Sequence, residues 1–186
     1  MDVVSMRAAE QAWLMRAEAR ADAFRRLLEV DLLRYYAIAG AMLGDAVDAQ
    51  DAVHDAAVSA WQHFGELRDE ARFAAWFDRI LVNQCRDRLR ARRRHPIVEL
   101  GAGGGIIDEP SIGDRSTAIA ASDAVERAMR TLDADHIAVV VLRFEADLTV
   151  PAIAERLGIA EGTVKSRLHH ALQRMRSAID GQGEGR

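Results

Sequence analysis

The sequence predicts an all-α protein made of two small helical domains joined by a flexible linker. Apolar residues recur at helical spacing on both sides of residues 95–121. The stretch between, HPIVELGAGGGIIDEPSIGDRSTAIAA, holds two of the three prolines and five glycines and resists regular structure. Abundant Ala, Leu and Arg with few aromatics favour helix throughout.

Residues 1–23 are rich in Ala and Arg and compatible with helix, and form an N-terminal extension of unassigned role. From Phe24 the pattern is plain: Phe24, Leu27 and Leu28 fall at i, i+3 and i+4, and Leu32 continues the stripe. Gly44-Asp45 marks a turn. A helix follows from about Ala46 to Phe64, with Val47, Ala52 or Val53, Ala57, Ala60 and Trp61 along one side. Residues 65–70 read as a loop, and the next helix starts near Arg72 and carries Phe73, Trp76, Phe77, Ile80, Leu81 and Leu89. Aromatics at such spacing are core residues in most proteins, although one or two flanking the Phe64–Phe73 loop could stack on an unpaired base. Beyond the linker, helical periodicity returns near Ser122. One stripe is Val125, Met129 and Leu132; a second is Ile137, Val140 and Val141. The run Val139-Val140-Val141 suits a strand by propensity alone, but its length and flanks favour helix. Residues 180–186 read as a frayed tail.

Net charge is −4, yet its distribution matters more than its total. Residues 1–78 carry −6, residues 79–94 carry +6, and residues 161–186 carry +2. Two basic islands thus sit in an acidic chain, which discourages indiscriminate nucleic-acid binding and confines contact to the islands. A single cysteine, Cys85, excludes an internal disulfide framework and fits a reducing cytoplasm. The opening residues lack the basic-then-apolar pattern of a signal peptide, and no apolar run reaches the ~18 residues of a membrane span.

The segment at 148–179, LTVPAIAERLGIAEGTVKSRLHHALQRMRSAI, carries the sharpest local signal. Pro151 suits the first turn of a helix, and Gly158 suits the left-handed residue that ends one. Ile153, Ala154 and Leu157 form the apolar face, and Ile159 plugs the turn. A second helix from Glu161 would bury Val164, Leu168, Ala171 and Met175 while presenting Lys165, Ser166, His169, His170 and Gln173. This is a helix-turn-helix whose outer face is rich in hydrogen-bond donors, as major-groove reading requires. Ala160 stands where Ser, Thr or Asp would cap that helix, an omission worth about 0.5–2 kcal/mol. In the first half, RILVNQCRDRLRARRR at 79–94 places six arginines within residues 86–94, enough to neutralise several phosphates.

Together these segments resemble the extracytoplasmic-function sigma factors of bacterial RNA polymerase, over roughly residues 24–94 and 122–179. Three motifs carry the resemblance. GDAVDAQDAVHDAAVSAW at 44–61 is similar to the core-polymerase-binding helix of sigma region 2, which implies contact with the clamp of the largest subunits through Gln50, Asp51, His54 and Asp55. The family more often has Glu and Gln where this chain has Gln50 and His54. RFAAWFDRILVNQCRDRLRARRR at 72–94 resembles the part of region 2, a three- or four-helix bundle, that melts and reads the minus-ten promoter element. The resemblance gives minus-ten DNA contacts to Trp76, Asn83, Arg86, Asp87 and Arg90, with Asn83 at a flipped nontemplate base and the Gly65–Arg72 loop forming its pocket. LTVPAIAERLGIAEGTVKSRL resembles the region 4 helix-turn-helix that binds the minus-thirty-five element. Thr163, Lys165, Ser166, Arg167, His169, His170 and Arg174 are the implied DNA-facing residues. His170 stands for a usual Arg and Pro151 for a usual Glu, departures that imply altered promoter preference.

The implied function is that of an alternative sigma factor that binds core RNA polymerase and directs promoter recognition, DNA melting and transcription initiation. The implied partners are core polymerase, promoter DNA and an anti-sigma factor, with no cofactor, no metal and no catalysis of its own. Other classes explain less. A regulator with only a helix-turn-helix leaves the Asn83–Arg94 segment unused. An enzyme finds little support: GAGGG at 101–105 lacks the preceding strand of a phosphate loop, and one Cys makes a structural zinc site unlikely. A pure adaptor would make both basic islands accidental.

Overall fold

A computed structural model describes the backbone of residues 3–94 and 115–181, with side chains over 13–94 and 122–181. Most of the expected linker, its GAGGG run and the end of the tail lie outside the described residues. Those described form eight α-helices and no strand: α1 (Val3–Val30), α2 (Leu32–Leu43), α3 (Ala46–His63), α4 (Phe73–Arg94), α5 (Arg115–Arg130), α6 (Ala134–Phe144), α7 (Val150–Leu157) and α8 (Glu161–Asp180). Two short 3-10 turns, Phe64–Glu66 and Glu70–Arg72, join α3 to α4.

Local chemistry sets most boundaries. Gly44 ends α2 in the left-handed conformation (φ 69°), and the Asp45 side chain then caps α3 by accepting from the Asp48 N–H at 2.9 Å. Thr149 caps α7, Pro151 sits in its first turn, and Gly158 ends it at φ 65°. α8 starts at Ala160 without a side-chain cap, as its sequence required. Asp133 caps α6 by accepting from the N–H groups of both Asp135 and His136 at 3.0 Å, while the His136 ring sits 2.7 Å from its other oxygen.

Several boundaries and faces differ from the sequence reading. The stripe from Phe24 to Leu32 is broken at Asp31, where the chain leaves α1 and redirects into α2. α5 begins at Arg115, seven residues inside the stretch read as linker; Pro110 and Gly113 lie upstream, and nothing in RSTAIAA opposes helix. On α3 the buried positions are Ala49, Ala52, Val53, Ala56 and Ala60, whereas Val47 and Trp61 face outward. Small alanines let α3 approach α2 and α4 closely. On α5, Ala128 rather than Val125 turns inward.

The first four helices enclose an aromatic cluster. Phe24 meets Trp61, Phe64 and Phe73 edge-on at centroid distances of 5.2–5.8 Å, and Phe73 stacks on Phe77 at 5.8 Å. Such pairs contribute about 0.5–1.5 kcal/mol each beyond simple burial. α1 is therefore tied to the bundle by its C-terminal part, with the Arg20 guanidinium resting 4.9 Å over the Trp61 ring.

The second set of helices lies directly on the first, an arrangement the sequence reading did not include. α2 and α4 contact α6, and α4 also contacts α7, so that buried residues from both sets form one hydrophobic cluster. α6 explains this. Ala134, Ile137, Ala138, Val139, Val140, Val141 and Leu142 are all buried, so the helix is apolar on every side. A helix of that kind needs cover all round. α7 and α8 cover one side, and α2 and α4 cover the other.

An ionic contact crosses the same seam. Asp78 of α4 is fully buried, and its carboxylate accepts from Arg34 of α2 at 2.8 and 3.2 Å and from Arg156 of α7 at 2.7 Å. The neighbouring Tyr35 phenol is buried too; burial first, and then the negative charge of Asp78, push its pKa upward.

Two stability predictions follow from these contacts. Asp78→Ala strands two largely buried guanidiniums and should cost about 3–5 kcal/mol, read as a lowered urea midpoint. A loss below 1 kcal/mol would mean that the pairing is not realised in solution. Asp133→Ala should cost about 1 kcal/mol at neutral pH. Burial alone would raise the Asp133 pKa, but the His136 N–H and ring and the Asp135 N–H outweigh it and hold it below the usual value. Its stabilisation is thus complete above the ordinary Asp value of about 3.9 and is lost as pH falls through the lower folded value. Thermal melts should show the difference between Asp133→Ala and the parent chain shrinking below about pH 4.

Candidate nucleic-acid interface

α4 carries two faces with opposite tasks. Phe73, Phe77, Asp78, Leu81, Val82 and Cys85 point into the bundle. Burial pushes the Cys85 thiol up to about 12, which leaves it a packing residue and a poor nucleophile. The positions 76, 83, 86, 87 and 90 recur at helical spacing on the other side. Trp76 is half-buried there, Asn83 and Asp87 are exposed, and Arg86 and Arg90 are partly exposed. The Asn83 carbonyl accepts from Arg86 at 3.3 Å, and Arg90 lies 3.6 Å from Asp87. All five residues expected at minus-ten DNA therefore share one face. Phe64 and Phe73, which flank the preceding loop, are buried in the aromatic cluster and are not available for base stacking; of the rings packed around them, Trp76 and Trp61 retain exposed edges.

On α3, Gln50, Asp51, His54 and Asp55 are all exposed, one turn apart on the surface opposite the alanine face. They form a continuous polar stripe. Asp55 of the stripe is paired with Arg88, and Asp48 beside it is paired with Arg92. Part of the basic run of α4 thus neutralises acids of α3, which sequence spacing alone did not predict.

α7, the Gly158 turn and α8 form the expected helix-turn-helix. The backbone N–H of Ile159 donates to the Ala154 carbonyl at 3.1 Å and closes the turn, and the Arg79 guanidinium of α4 lies against Gly158. On α8, Val164 and Ala171 are buried, while Leu168 and Met175 pack partly against the core. Thr163, Lys165, Ser166, His169 and His170 are exposed, with the two histidine rings edge-to-face at 5.6 Å. Arg167 and Arg174 point elsewhere: Arg167 reaches Asp135 at 3.3 Å, and Arg174 reaches Asp133 at 3.7 Å.

Two carboxylates missed by sequence reasoning organise this surface. Asp78 did leave a trace, since it interrupts an otherwise apolar stripe on α4 and a charge there must be paired. Asp135 left none, because an acid in the first turn of a helix is ordinary. In the structure Asp135 Oδ1 accepts from Arg86 through two nitrogens (Nε at 2.7 Å, and Nη2) and from Arg90 Nη2 at 3.0 Å, and Arg167 approaches Oδ2. Arg93 adds a bond to the Leu132 carbonyl. No group of three or more potential metal ligands occurs among the described residues. An open cleft on the second set is lined by Thr131, His136, His170, Gln173, Arg174 and Ser177.

Comparison with known proteins accords with this layout. A family model for Sigma-70 region 2 matches residues 27–95, and one for Sigma-70, region 4 matches residues 128–177. The ECF RNA polymerase sigma factor SigM of Mycobacterium tuberculosis is 38% identical over 128 residues, covering 69% of this chain and 62% of SigM. The chain thus spans less than two thirds of SigM. SigL of the same organism is 33% identical over 173 residues, covering 90% of this chain and 94% of SigL. Among solved structures, the sigma factor RpoE of Bartonella quintana, crystallised with the anti-sigma factor NepR, superposes with a TM-score of 0.63 at 24% identity, over 84% of this chain and 96% of that one. CnrH in complex with the cytosolic domain of CnrY gives 0.61 at 22% identity, over 90% and 96%. These two show the shared fold. The paired regional matches in their expected order, and the near full-length likeness to SigL, establish that the chain belongs to the ECF RNA polymerase sigma factor family.

Proposed function

We propose that the chain acts as an alternative sigma factor: it binds core RNA polymerase and directs promoter recognition, DNA melting and transcription initiation. The observation that carries this reading is the outer face of α4, where Trp76, Asn83, Arg86, Asp87 and Arg90 share one side of a helix that ends in a basic run. An amide, a partly exposed indole and guanidiniums in one row suit extruded bases flanked by phosphates. The recognition helix α8 offers Thr163, Lys165, Ser166, His169 and His170 to a second, duplex element, with Arg167 and Arg174 within reach of its phosphates once they leave their carboxylates. The α3 stripe of Gln50, Asp51, His54 and Asp55 is the polymerase-facing surface.

The chemistry is delegated. The polymerase supplies the metal, active site and nucleotide transfer, and this chain supplies position and strand capture. Residues 1–23, 24–94, 95–121, 122–179 and 180–186 serve as extension, region 2 domain, linker, region 4 domain and tail. The relatives RpoE and CnrH are each seen with a partner, NepR described as an anti-sigma factor and CnrY, so we extend to this chain a partner that holds it inactive. Its working place is the cytoplasm, with its polymerase; no helix among the described residues is long and apolar enough to cross a membrane.

Run-off transcription with core polymerase on a pool of genomic promoter fragments tests the reading. The full chain should yield discrete start sites that core alone does not. Asn83→Ala and Lys165→Ala should each cut product at least tenfold, and Asp51→Ala should weaken association with core. Discrete initiation that is indifferent to both Asn83 and Lys165 would overturn the assignment of the two DNA faces. Free chain should bind promoter duplex weakly and core-bound chain tightly; a nanomolar, sequence-specific complex of the chain alone would contradict the division of labour.

A further inference from the structure

We propose that the N-terminal extension braces the pocket for an extruded promoter base, with Arg20 of α1 as the positioning residue. The inference rests on the reading of the Gly65–Arg72 loop as that pocket. Arg20 lies ahead of residue 27, where the region 2 likeness begins, so the resemblance gives it no part in DNA capture.

The loop has little of its own to hold its shape. Leu67 packs partly against the core, and the other residues from Gly65 to Arg72 are exposed. Its internal hydrogen bonds are local: the Leu67 N–H donates to the Phe64 carbonyl, the Arg72 N–H to the Asp69 carbonyl, and the Ala71 N–H to the Asp69 side chain. One outward tie, from Arg72 to Glu155 of α7, sits at its far end. A loop of this kind takes its position from the scaffold at its two stems.

Both stems end on α1. Phe24 meets Phe64 edge-on at 5.2 Å just before the loop and Phe73 at 5.8 Å just after it. Residues four apart share a helix face, so Arg20 stands one turn from Phe24 on the same side. Arg20 holds the entry to the loop in three ways. Its guanidinium lies 4.9 Å over the Trp61 ring, its Nη2 donates to the Trp61 carbonyl at 3.2 Å, and a Cβ on Gly65 would meet that same nitrogen at 3.7 Å. The Trp61 carbonyl belongs to the last turn of α3, where carbonyls lack helical partners and a cation is favoured. A planar guanidinium can lie on an indole and donate from its edge at once, which an ammonium cannot. A pocket already in shape spends no ordering entropy when a base enters. Arg20 therefore acts on base capture. Its contacts with Trp61 and Gly65 lie beyond the last residue of the α3 polar stripe, so association with core should be unchanged.

The test uses the full chain bound to core polymerase. The probe is a fluorescein-labelled nontemplate strand spanning the minus-ten element of a promoter recovered by run-off transcription. Each minus-ten nucleotide is replaced in turn by an abasic site, and affinity is read by anisotropy. For wild type, one replacement should weaken binding at least tenfold and so mark the captured base. Arg20→Ala should bind the intact strand at least fivefold more weakly, yet lose less than threefold on that same replacement. Such non-additivity reports coupling between Arg20 and the base, which a general loss of stability does not produce. Arg20→Lys should behave as Arg20→Ala. Arg25→Ala, which removes an exposed charge from the same helix, should behave as wild type. Phe24 is left in place because its removal would dismantle the aromatic cluster. Equal abasic losses for wild type and Arg20→Ala would overturn the proposal, as would full rescue by Lys or a loss of core affinity in Arg20→Ala. The two readings fail differently. No sensitive position in wild type refutes the pocket itself, whereas a sensitive position without coupling to Arg20 refutes only the brace.

Discussion

A carboxylate with no solvent access has to be met by cations, and Asp78 is met from two directions. Arg34 comes from the first group of helices and Arg156 from the second. Removing an acid from water is so costly that the surrounding geometry is dictated by the need to pair it. α4 is consequently clamped between α2 and α7, and its rotation about its own axis is set. That rotation decides which of its residues look outward. Asn83, Arg86 and Arg90 look away from the bundle interior because Asp78, on the opposite side of the helix, is anchored. The polar surface of α4 is thus a consequence of one buried charge.

Most of the helices were legible because their signals are local. Gly44 and Gly158 act through their own φ angles, Pro151 through its missing N–H, and the apolar stripes through the helical repeat. The errors share a different origin. The outward turn of Val47 and Trp61 and the inward turn of Ala56 reflect how closely three helices approach, which a hydrophobicity pattern does not encode. The valine run of α6 was ambiguous because a helix covered on both sides loses the periodicity that distinguishes it from a strand.

The candidate site was legible in its residues and not in its wiring. Motif resemblance put the expected residues on α3, α4 and α8; on α8, Arg167 and Arg174 turn to Asp135 and Asp133 instead of joining the exposed row. The partners of those rows depend on tertiary contact. Asp135 is 49 residues from Arg86 in sequence, and Arg156 is 78 from Asp78. Nothing in the spacing of either pair distinguishes it from chance. The charge segregation along the chain takes on a structural meaning here: the acids that make the protein net negative include those that occupy its own arginines, at Asp48, Asp55, Asp78 and Asp135.

Among the described residues, the cations that bridge the two halves are arginines: Arg72, Arg86, Arg90, Arg93 and Arg156. A guanidinium offers a planar fork of N–H donors that fits carboxylate and phosphate alike, and no imidazole takes part in these bridges. Polyanions and rising ionic strength compete for the same nitrogens, and they are the chemical signals to which such a junction is open.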